Sequence, residues 1–478
     1  MCYYNTGRRQ NASCFYFSVK DDFDMKTEMD LTVGKVPTTL LRFAFPLFIA
    51  NLLQSLYNIV DMLVVGQIVG STGVAAISNA STLVFIVNAI CLGVTTGGTV
   101  LIAQYKGAGN KQGQKDAIGT IYALTGVLAI IITIAGLATY RHVFSLMNVP
   151  IESLKDARDY MLVILCGTIF VFGYNATCSI LRGIGDSIRP LIFVGIATVI
   201  NVILDCIFVG LLNMGTVGAA YATVISQGMS FVISVAYLKR QNFLFDFKVR
   251  SFAVHPPIAK SVLKISLPTA IQMAVVNLSH LIIAAMLNMY GVTIAAASGI
   301  GLKINTFAGM PCWAIGSAMT AMVGQNMGAG QIDRTKKIGT TGLKINLLVT
   351  LISVVFVQLF AGRLVMLFDT SDPTVISAGI EYLRICCFWN SLIYAIMYSF
   401  DSFAVGVGAA PLAMVDALLD SFFIRLPLCS ALSSFTMLGF KGVYWGQALS
   451  PIIPALIGGA YYLFDNWKTK KLADSDIA

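Results

Sequence analysis

Residues 41–54 read LRFAFPLFIANLLQ and residues 263–276 read LKISLPTAIQMAVV, and each segment has a proline at its sixth position. These segments are the first of four matches between the halves of the chain, at an offset of about 221 residues. The other matches keep the same order: AQYKGAG (103–109) with GQNMGAG (324–330), RGIGDSIRPL (182–191) with AVGVGAAPL (404–412), and MGTVGAAY (214–221) with LGFKGVYW (438–445). Ordered matches of this kind indicate an internal duplication.

Each repeat is long and apolar enough to contain six membrane spans. Hydrophobic residues make up 57% of the 478 residues and charged residues only 12%, whereas soluble proteins carry roughly 25% charged residues. A spanning helix needs about 20 residues. Spans are predicted near residues 37–65, 73–102, 117–139, 159–181, 190–211, 218–238, 265–288, 293–324, 339–361, 377–401, 411–432 and 443–464.

The predicted fold class is an all-α membrane protein of twelve transmembrane helices, in two parallel six-helix repeats around a central cleft. The repeats are parallel because an even number of spans returns the chain to its starting side. The predicted organisation is a polar cytoplasmic tail at 1–35, an N-lobe at 36–240, a cytoplasmic linker at 241–260, a C-lobe at 261–465 and a cytoplasmic tail at 466–478. Translation from Met25 instead of Met1 stays an open alternative.

The net charge of +9 follows from membrane topology. Lys and Arg concentrate in the connections on the side of both termini, and the opposite side carries only Arg141, Lys155, Arg158, Arg363 and Lys441. Because cytoplasmic loops carry the excess of basic residues, both termini are predicted to be cytoplasmic, in a multi-pass protein of the plasma (inner) membrane. A nucleic-acid partner is not predicted. The predicted partners are membrane lipid and a small organic molecule, and the protein is predicted to be a monomer.

The sequence contains no pattern typical of a catalytic or metal centre. The three histidines, His142, His255 and His280, are scattered, and the ten cysteines lie mostly in hydrophobic runs without paired spacing. Metal sites need closely spaced ligands, and a membrane-embedded enzyme would need a constellation such as HExxH. We therefore predict no catalytic residue, no metal and no cofactor, and the duplication favours a transporter over an enzyme.

Polar residues form one face in the first span and one in the fifth: Asn51, Gln54, Asn58 and Asp61, and Thr198, Asn201 and Asp205. An ionisable residue inside a span costs about 2.5–3.5 kcal/mol, so both faces should point into the bundle. Asp61 lies 19 residues after Arg42 and Asp205 lies 16 after Arg189, which gives heights of roughly 28 and 24 Å. Two carboxylates at similar heights predict a site for H⁺ or Na⁺. A purely structural pair is the alternative.

From Lys35 to about Asp465 the chain resembles the multidrug and toxic compound extrusion (MATE) family, as a prokaryotic member. The most specific matches are NLLQSLYNIVDMLVVGQIVG (51–70), LRGIGDSIRP (181–190) with NVILDCIFV (201–209), MVGQNMGAG (322–330) and IRLPL (424–428). The resemblance is to the branch with archaeal and DNA-damage-inducible members, which has a cation site in the N-lobe. It implies that the site here consists of Asp61, Tyr57, Asn201, Asp205, Asn175 and Thr223.

The other large branch of the family also uses acidic residues in the seventh and tenth helices. Here the seventh span offers only Gln272 and His280, and the tenth offers Glu381 and Asp401 near its ends. Coupling is therefore predicted to rest on the N-lobe.

The charges in the eighth and eleventh spans are interpreted as structural pairs, with a role in substrate passage as the alternative. Lys303 and Asp420 lie at similar heights, each roughly 14 Å from the inner boundary. This predicts an ion pair between them.

The resemblance implies secondary active multidrug efflux, in which H⁺ or Na⁺ is exchanged for amphipathic, often cationic, organic compounds. The candidate residues of the substrate cleft are Gln54, Asn58 and Gln272. A lipid-linked oligosaccharide flippase of the same superfamily is the alternative. The sequence decides neither the substrates nor the choice between H⁺ and Na⁺.

Overall fold

A computed structural model describes residues 28–147, 149–241, 243–368, 372–465 and 467–468. These residues form helices and short connections, with one isolated antiparallel bridge between Glu28 and Asp186. Helices suit an apolar chain because each one satisfies its backbone hydrogen bonds within itself, as lipid requires. The alternative start at Met25, most of the tail predicted at 1–35 and the chain beyond residue 468 lie outside the described residues.

Six helices form the first repeat: α1 Val36–Ile68, α2 Ser71–Gly107, α3 Lys111–Leu146, α4 Ile151–Ile184, α5 Ile188–Leu211 and α6 Gly215–Arg240. Within α5 the α-helix ends at Asp205 and a π-helical turn continues over Cys206–Leu211. A short 3-10 turn, Val249–Ser251, lies in the linker.

The second repeat contains α7 Pro256–Asn288, α8 Val292–Gly328, α9 Ile332–Met366, α10 Pro373–Gly406, α11 (Ala410–Leu418, Leu419–Arg425 and Leu426–Ser434) and α12 (Phe440–Leu449 and Ile452–Leu463). The middle part of α11 is π-helical, as is Leu383–Asn390 in α10. α7 begins inside the segment predicted as linker, because Pro256 suits the first turn of a helix.

The predicted fold of twelve transmembrane helices in two repeats is confirmed. In the described part of the chain, ten continuous helices are long and apolar enough to cross a membrane. The other two spans are composite. α11 contains three charged residues, Asp416, Asp420 and Arg425, and α12 is interrupted at Pro451.

The two lobes meet through α2 and α8, which occupy equivalent places in the repeats. α2 packs against α7 and α8, and α8 packs against α1. Where α2 and α8 cross, a Cβ atom on Gly107 would lie 1.8 Å from the carbonyl oxygen of Gln325, and one on Gly328 would lie 2.0 Å from that of Gln104. The repeated GAG motifs therefore provide a backbone contact between the lobes that only glycine allows.

Replacing Gly107 by alanine should destabilise this arrangement of the lobes. The added methyl group would overlap a backbone carbonyl, and overpacking of this kind costs about 1–3 kcal/mol. We expect a lower thermal unfolding midpoint in detergent and slower efflux. Gly126→Ala in α3 is the control, because a Cβ atom at that position would have nothing within 4 Å. Equal behaviour of the two variants would contradict the role of the crossing.

Candidate functional site

The carboxyl groups of Asp61 and Asp205 meet between α1 and α5. Asp61 is 8% exposed, and Asp205, at the end of the α-helical part of α5, is fully buried. α1 and α5 pack against each other, and the two carboxyl groups lie side by side. The polar faces of the first and fifth predicted spans thus lie against each other.

Two neutral side chains also contact Asp61. Thr223 on α6 donates a hydrogen bond from Oγ1 to Asp61 Oδ2 at 3.3 Å. Asn201, one turn before Asp205, is buried beside the Asp61 carboxyl group, and its amide atoms have no hydrogen-bond partner among the described residues. α6 can provide Thr223 because it packs along α5.

Tyr57 belongs to this cluster, whereas Asn175 is not seen to contact the acids. Tyr57 lies one turn before Asp61, close enough to both carboxyl groups to interact electrostatically. Asn175 on α4 donates from Nδ2 to the carbonyl oxygen of Val171 in its own helix at 2.9 Å. Among the described residues no hydrogen bond joins Asn175 to either carboxyl group.

Sequence reasoning missed two residues of this cluster. Gln227 of α6 lies beside the Tyr57 side chain, and Tyr160 of α4 lies near both carboxyl groups. Gln227 follows Thr223 by four residues, so a polar face of α6 was a usable signal. Tyr160 gave no such signal, because an aromatic residue near the end of a span is ordinary.

The acids of this cluster have no cationic partner in the described part of the chain. Neither Asp61 nor Asp205 forms an ion pair there. Asp61 Oδ1 and both Asp205 oxygens have no hydrogen-bond donor among the described residues. An ionised carboxylate only accepts hydrogen bonds, and burying an unpaired charge costs several kcal/mol. This chemistry fits a proton or a monovalent cation held between the two groups.

The three candidate residues of the substrate cleft differ in their surroundings. Gln54 and Asn58 are exposed on α1. Gln272 on α7 is half-buried and donates from Nε2 to Asp401 Oδ2 at 3.3 Å. Gln272 is thus hydrogen-bonded to an acidic side chain of the C-lobe.

The predicted Lys303–Asp420 ion pair is wrong. Asp420 pairs with Arg425 Nη2 instead, and Lys303 is exposed. Among the described residues no ion pair joins Lys303 to Asp420. The prediction rested on the heights of the two residues along the membrane normal. It did not include the rotation of α8 about its axis, which decides the direction in which Lys303 points. The partner of Asp420 lies five residues away, and the π-helical turn Leu419–Arg425 accommodates this spacing.

Thr223→Val tests the neutral contacts of Asp61. The valine has nearly the same shape but cannot donate to the carboxylate, and hydrogen bonds to charged groups contribute about 1.5–3 kcal/mol. We expect gradient-driven efflux to fall about tenfold, a change of roughly 1.4 kcal/mol. Thr198→Val is the control, because its hydroxyl donates only to Val194 of its own helix among the described contacts. An equal loss in both variants would show that the Thr223 contact is not specific.

Comparison with known proteins agrees with this architecture. The MatE family model matches residues 46–207 and 268–430, once in each repeat. The probable multidrug resistance protein YpnP of Bacillus subtilis (strain 168) is 28% identical over 443 residues, which cover 93% of this chain and 98% of that protein. YoeA from the same organism, also named a probable multidrug resistance protein, is 28% identical over 437 residues and covers 90% and 94%.

A solved structure has the same fold over nearly its whole length. It is described as the outward-facing conformation of a multidrug resistance MATE family transporter of the MOP superfamily. It has a TM-score of 0.87 and 23% sequence identity, and the match covers 92% of this chain and 98% of that one. Since the family model covers more than half of the sequence, the chain belongs to the MatE family, the multidrug and toxic compound extrusion transporters that its motifs resemble.

Proposed function

We propose that this multidrug efflux transporter is driven by H⁺ or Na⁺ at the Asp61–Asp205 pair. The observation that supports this most directly is the contact between two buried carboxyl groups without a cationic partner among the described residues. Such a pair changes its charge when it takes up a cation. Coupling requires this property, and a structural ion pair lacks it.

The residues around the pair have separate roles in this proposal. Thr223 and Asn201 orient the Asp61 carboxyl group, because Thr223 donates a hydrogen bond to it and Asn201 lies beside it. Occupation by a cation removes the repulsion between Asp61 and Asp205, so α1 and α5 can pack more closely. Because α1 also packs against α8 of the other lobe, a shift of α1 changes the surface between the lobes, where transporters of parallel repeats bind substrate.

The exported compounds are proposed to be amphipathic organic molecules, often cationic. The names of YpnP and YoeA record multidrug resistance for those proteins. The chain is rich in Met, Phe and Tyr, with 19, 29 and 18 residues, and methionine side chains in particular adapt to ligands of varied shape. The acidic groups of the N-lobe, Asp61 and Asp205, unpaired among the described residues, would favour a cationic ligand.

Dye efflux from proteoliposomes tests this function. Purified protein is reconstituted, loaded with a cationic fluorescent dye, and exposed to a proton gradient or a sodium gradient alone. We expect one gradient to accelerate efflux and the other to have little effect. A flippase would move a labelled lipid-linked oligosaccharide without moving the dye, and this result would replace the proposal. An enzyme would leave dye accumulation in cells unchanged.

The multi-pass architecture does not by itself determine the membrane, the orientation or the oligomeric state, and these are also proposals. We place the protein in the plasma membrane, as a monomer surrounded by lipid, without a nucleic-acid partner and with both termini in the cytoplasm. A reporter fused after residue 245 and another at the C-terminus should both report a cytoplasmic location. A periplasmic signal from either fusion would contradict the parallel arrangement of the repeats.

A further inference from the structure

A second group of buried acids lies in the C-lobe, between α10 and α11. Asp401 is 2% exposed, Asp416 is fully buried and Asp420 is 1% exposed. The carboxyl groups of Asp401 and Asp416 lie side by side, and Asp420 is close enough to interact electrostatically with both. Sequence reasoning did not group these residues, because Asp401 lies near the end of its span.

In the described part of the chain, one cation, Arg425, lies beside these three acids. Arg425, itself 3% exposed, pairs with Asp420 Oδ2 through Nη2 and donates from Nε to Ser450 Oγ at 3.2 Å. Asp401 receives a hydrogen bond from neutral Gln272. If all three carboxyl groups were ionised, two negative charges would have no counter-charge among the described residues.

The other side chains described around the three acids do not provide the missing positive charge. Among the described residues, the other titratable groups near the acids or Arg425 are His280 on α7, Tyr382, Cys386, Tyr394 and Tyr398 on α10 and Cys429 on α11. The nearby contacts of α9 and α12 involve the neutral residues Asn346 and Gly458. Beside Asp416 Oδ2, α12 presents Gly458, on which a Cβ atom would lie 3.6 Å from that oxygen.

Unpaired polar atoms in this region indicate that one of the carboxyl groups carries a proton. Both oxygens of Asp416, Asp401 Oδ1 and Arg425 Nη1 are buried and have no hydrogen-bond partner among the described residues. Two ionised carboxylates in contact are both acceptors and cannot bond to each other. If one of them is protonated, it becomes a donor and the contact becomes a hydrogen bond. A metal ion fits less well, because no group of three or more His, Cys, Asp and Glu in the described chain is arranged to hold one.

We propose that Asp401 and Asp416 hold one exchangeable proton between them, as a second proton site in the C-lobe. Its place differs from that of the Asp61–Asp205 pair. Asp401 and Asp416 lie five and six residues from the α10–α11 connection, roughly 8–9 Å from that end of the helices. Asp61 is 25 residues from the start of α1, roughly 38 Å away.

The start of α1 and the α10–α11 connection are on the same side of the bundle, so the two acid pairs lie toward opposite membrane faces. A proton site in each lobe, near opposite faces, would allow uptake at one face and release at the other. This role in transport rests on the proposed function, whereas occupation of the site by a proton does not.

Infrared difference spectroscopy of the purified full-length protein tests the site without transport. The parent protein carries Asp61→Asn and Asp205→Asn, which remove the N-lobe pair. We expect a step to alkaline pH to remove a protonated-carboxyl C=O band from this parent. Adding Asp401→Asn or, separately, Asp416→Asn should abolish that band, because the remaining carboxylate then accepts from the asparagine amide. The same donation should keep both variants folded, which size-exclusion chromatography checks.

Glu381→Gln is the matched control, since Glu381 is also on α10 but pairs with Lys441 at 2.6 Å and is partly exposed. The band should persist in this variant. The proposal is overturned if the parent shows no band, if the band survives both aspartate substitutions, or if Na⁺ at constant pH removes it as completely as alkali does. If the band behaves as expected while Asp401→Asn leaves efflux unchanged, the proton site stands and its part in coupling is excluded.

Discussion

Asp61→Asn is expected to reduce gradient-driven efflux to the rate of protein-free vesicles while the protein stays folded. Asparagine preserves the size of the side chain and can still accept a hydrogen bond from Thr223, but it cannot bind and release a proton or neutralise Na⁺. Removing the charge should cost little stability, because its neighbour Asp205 is itself an acid and no cation is left unpaired. Efflux of a cationic dye under an imposed gradient measures the effect, and dye binding should weaken much less.

Three further variants test whether the effect of Asp61→Asn is specific to the acid pair. Asp205→Asn should behave in the same way, because it belongs to the same pair, whereas Asn201→Ala should lose only part of the activity, since Asn201 orients the acid. Asp116→Asn is the matched control: it is the same substitution at a partly exposed residue of α3, 3.7 Å from His255. If inserted and monodisperse Asp61→Asn protein still pumps at near the normal rate, coupling must be sought elsewhere.

The fold and most of the N-lobe site could be predicted from the sequence because both depend on patterns along single helices. The spacing of the polar residues in the first and fifth spans identified Asp61, Asn201 and Asp205 as residues of inward faces. Counting residues from the basic ends of the spans gave the two acids similar heights. The family resemblance supplied Thr223 and Tyr57, which the sequence alone did not connect to Asp61.

The C-lobe site depends on how helices are rotated against one another, which a single sequence does not determine. Lys303 and Asp420 have similar heights, but Lys303 is exposed and Asp420 meets Arg425 within a π-helical turn. Asp401 lies five residues from the end of α10, a position that by itself indicates only a charge near the end of a span. In the folded chain α10 and α11 pack against each other, and Asp401 is buried beside Asp416.

Arg425→Leu is expected to cause the largest loss of stability among single substitutions in the C-lobe. Arg425 is almost fully buried and is the only described cation paired with Asp420. Its removal leaves that carboxylate uncompensated beside Asp401 and Asp416, and breaking a buried ion pair from one side costs about 3–5 kcal/mol. Thermal unfolding in detergent should show a markedly lower midpoint.

The double variant Arg425→Leu with Asp420→Leu separates the cost of the unpaired charge from the loss of packing. Replacing both members of a buried pair by apolar residues is often neutral or stabilising, so this variant should recover most of the stability. Arg141→Leu serves as the control for the loss of an arginine, because Arg141 is exposed on α3, and its unfolding midpoint should hardly change. A normal midpoint for the single variant Arg425→Leu would mean that Asp420 does not need this cation. The C-lobe acids would then have to hold more than one proton between them.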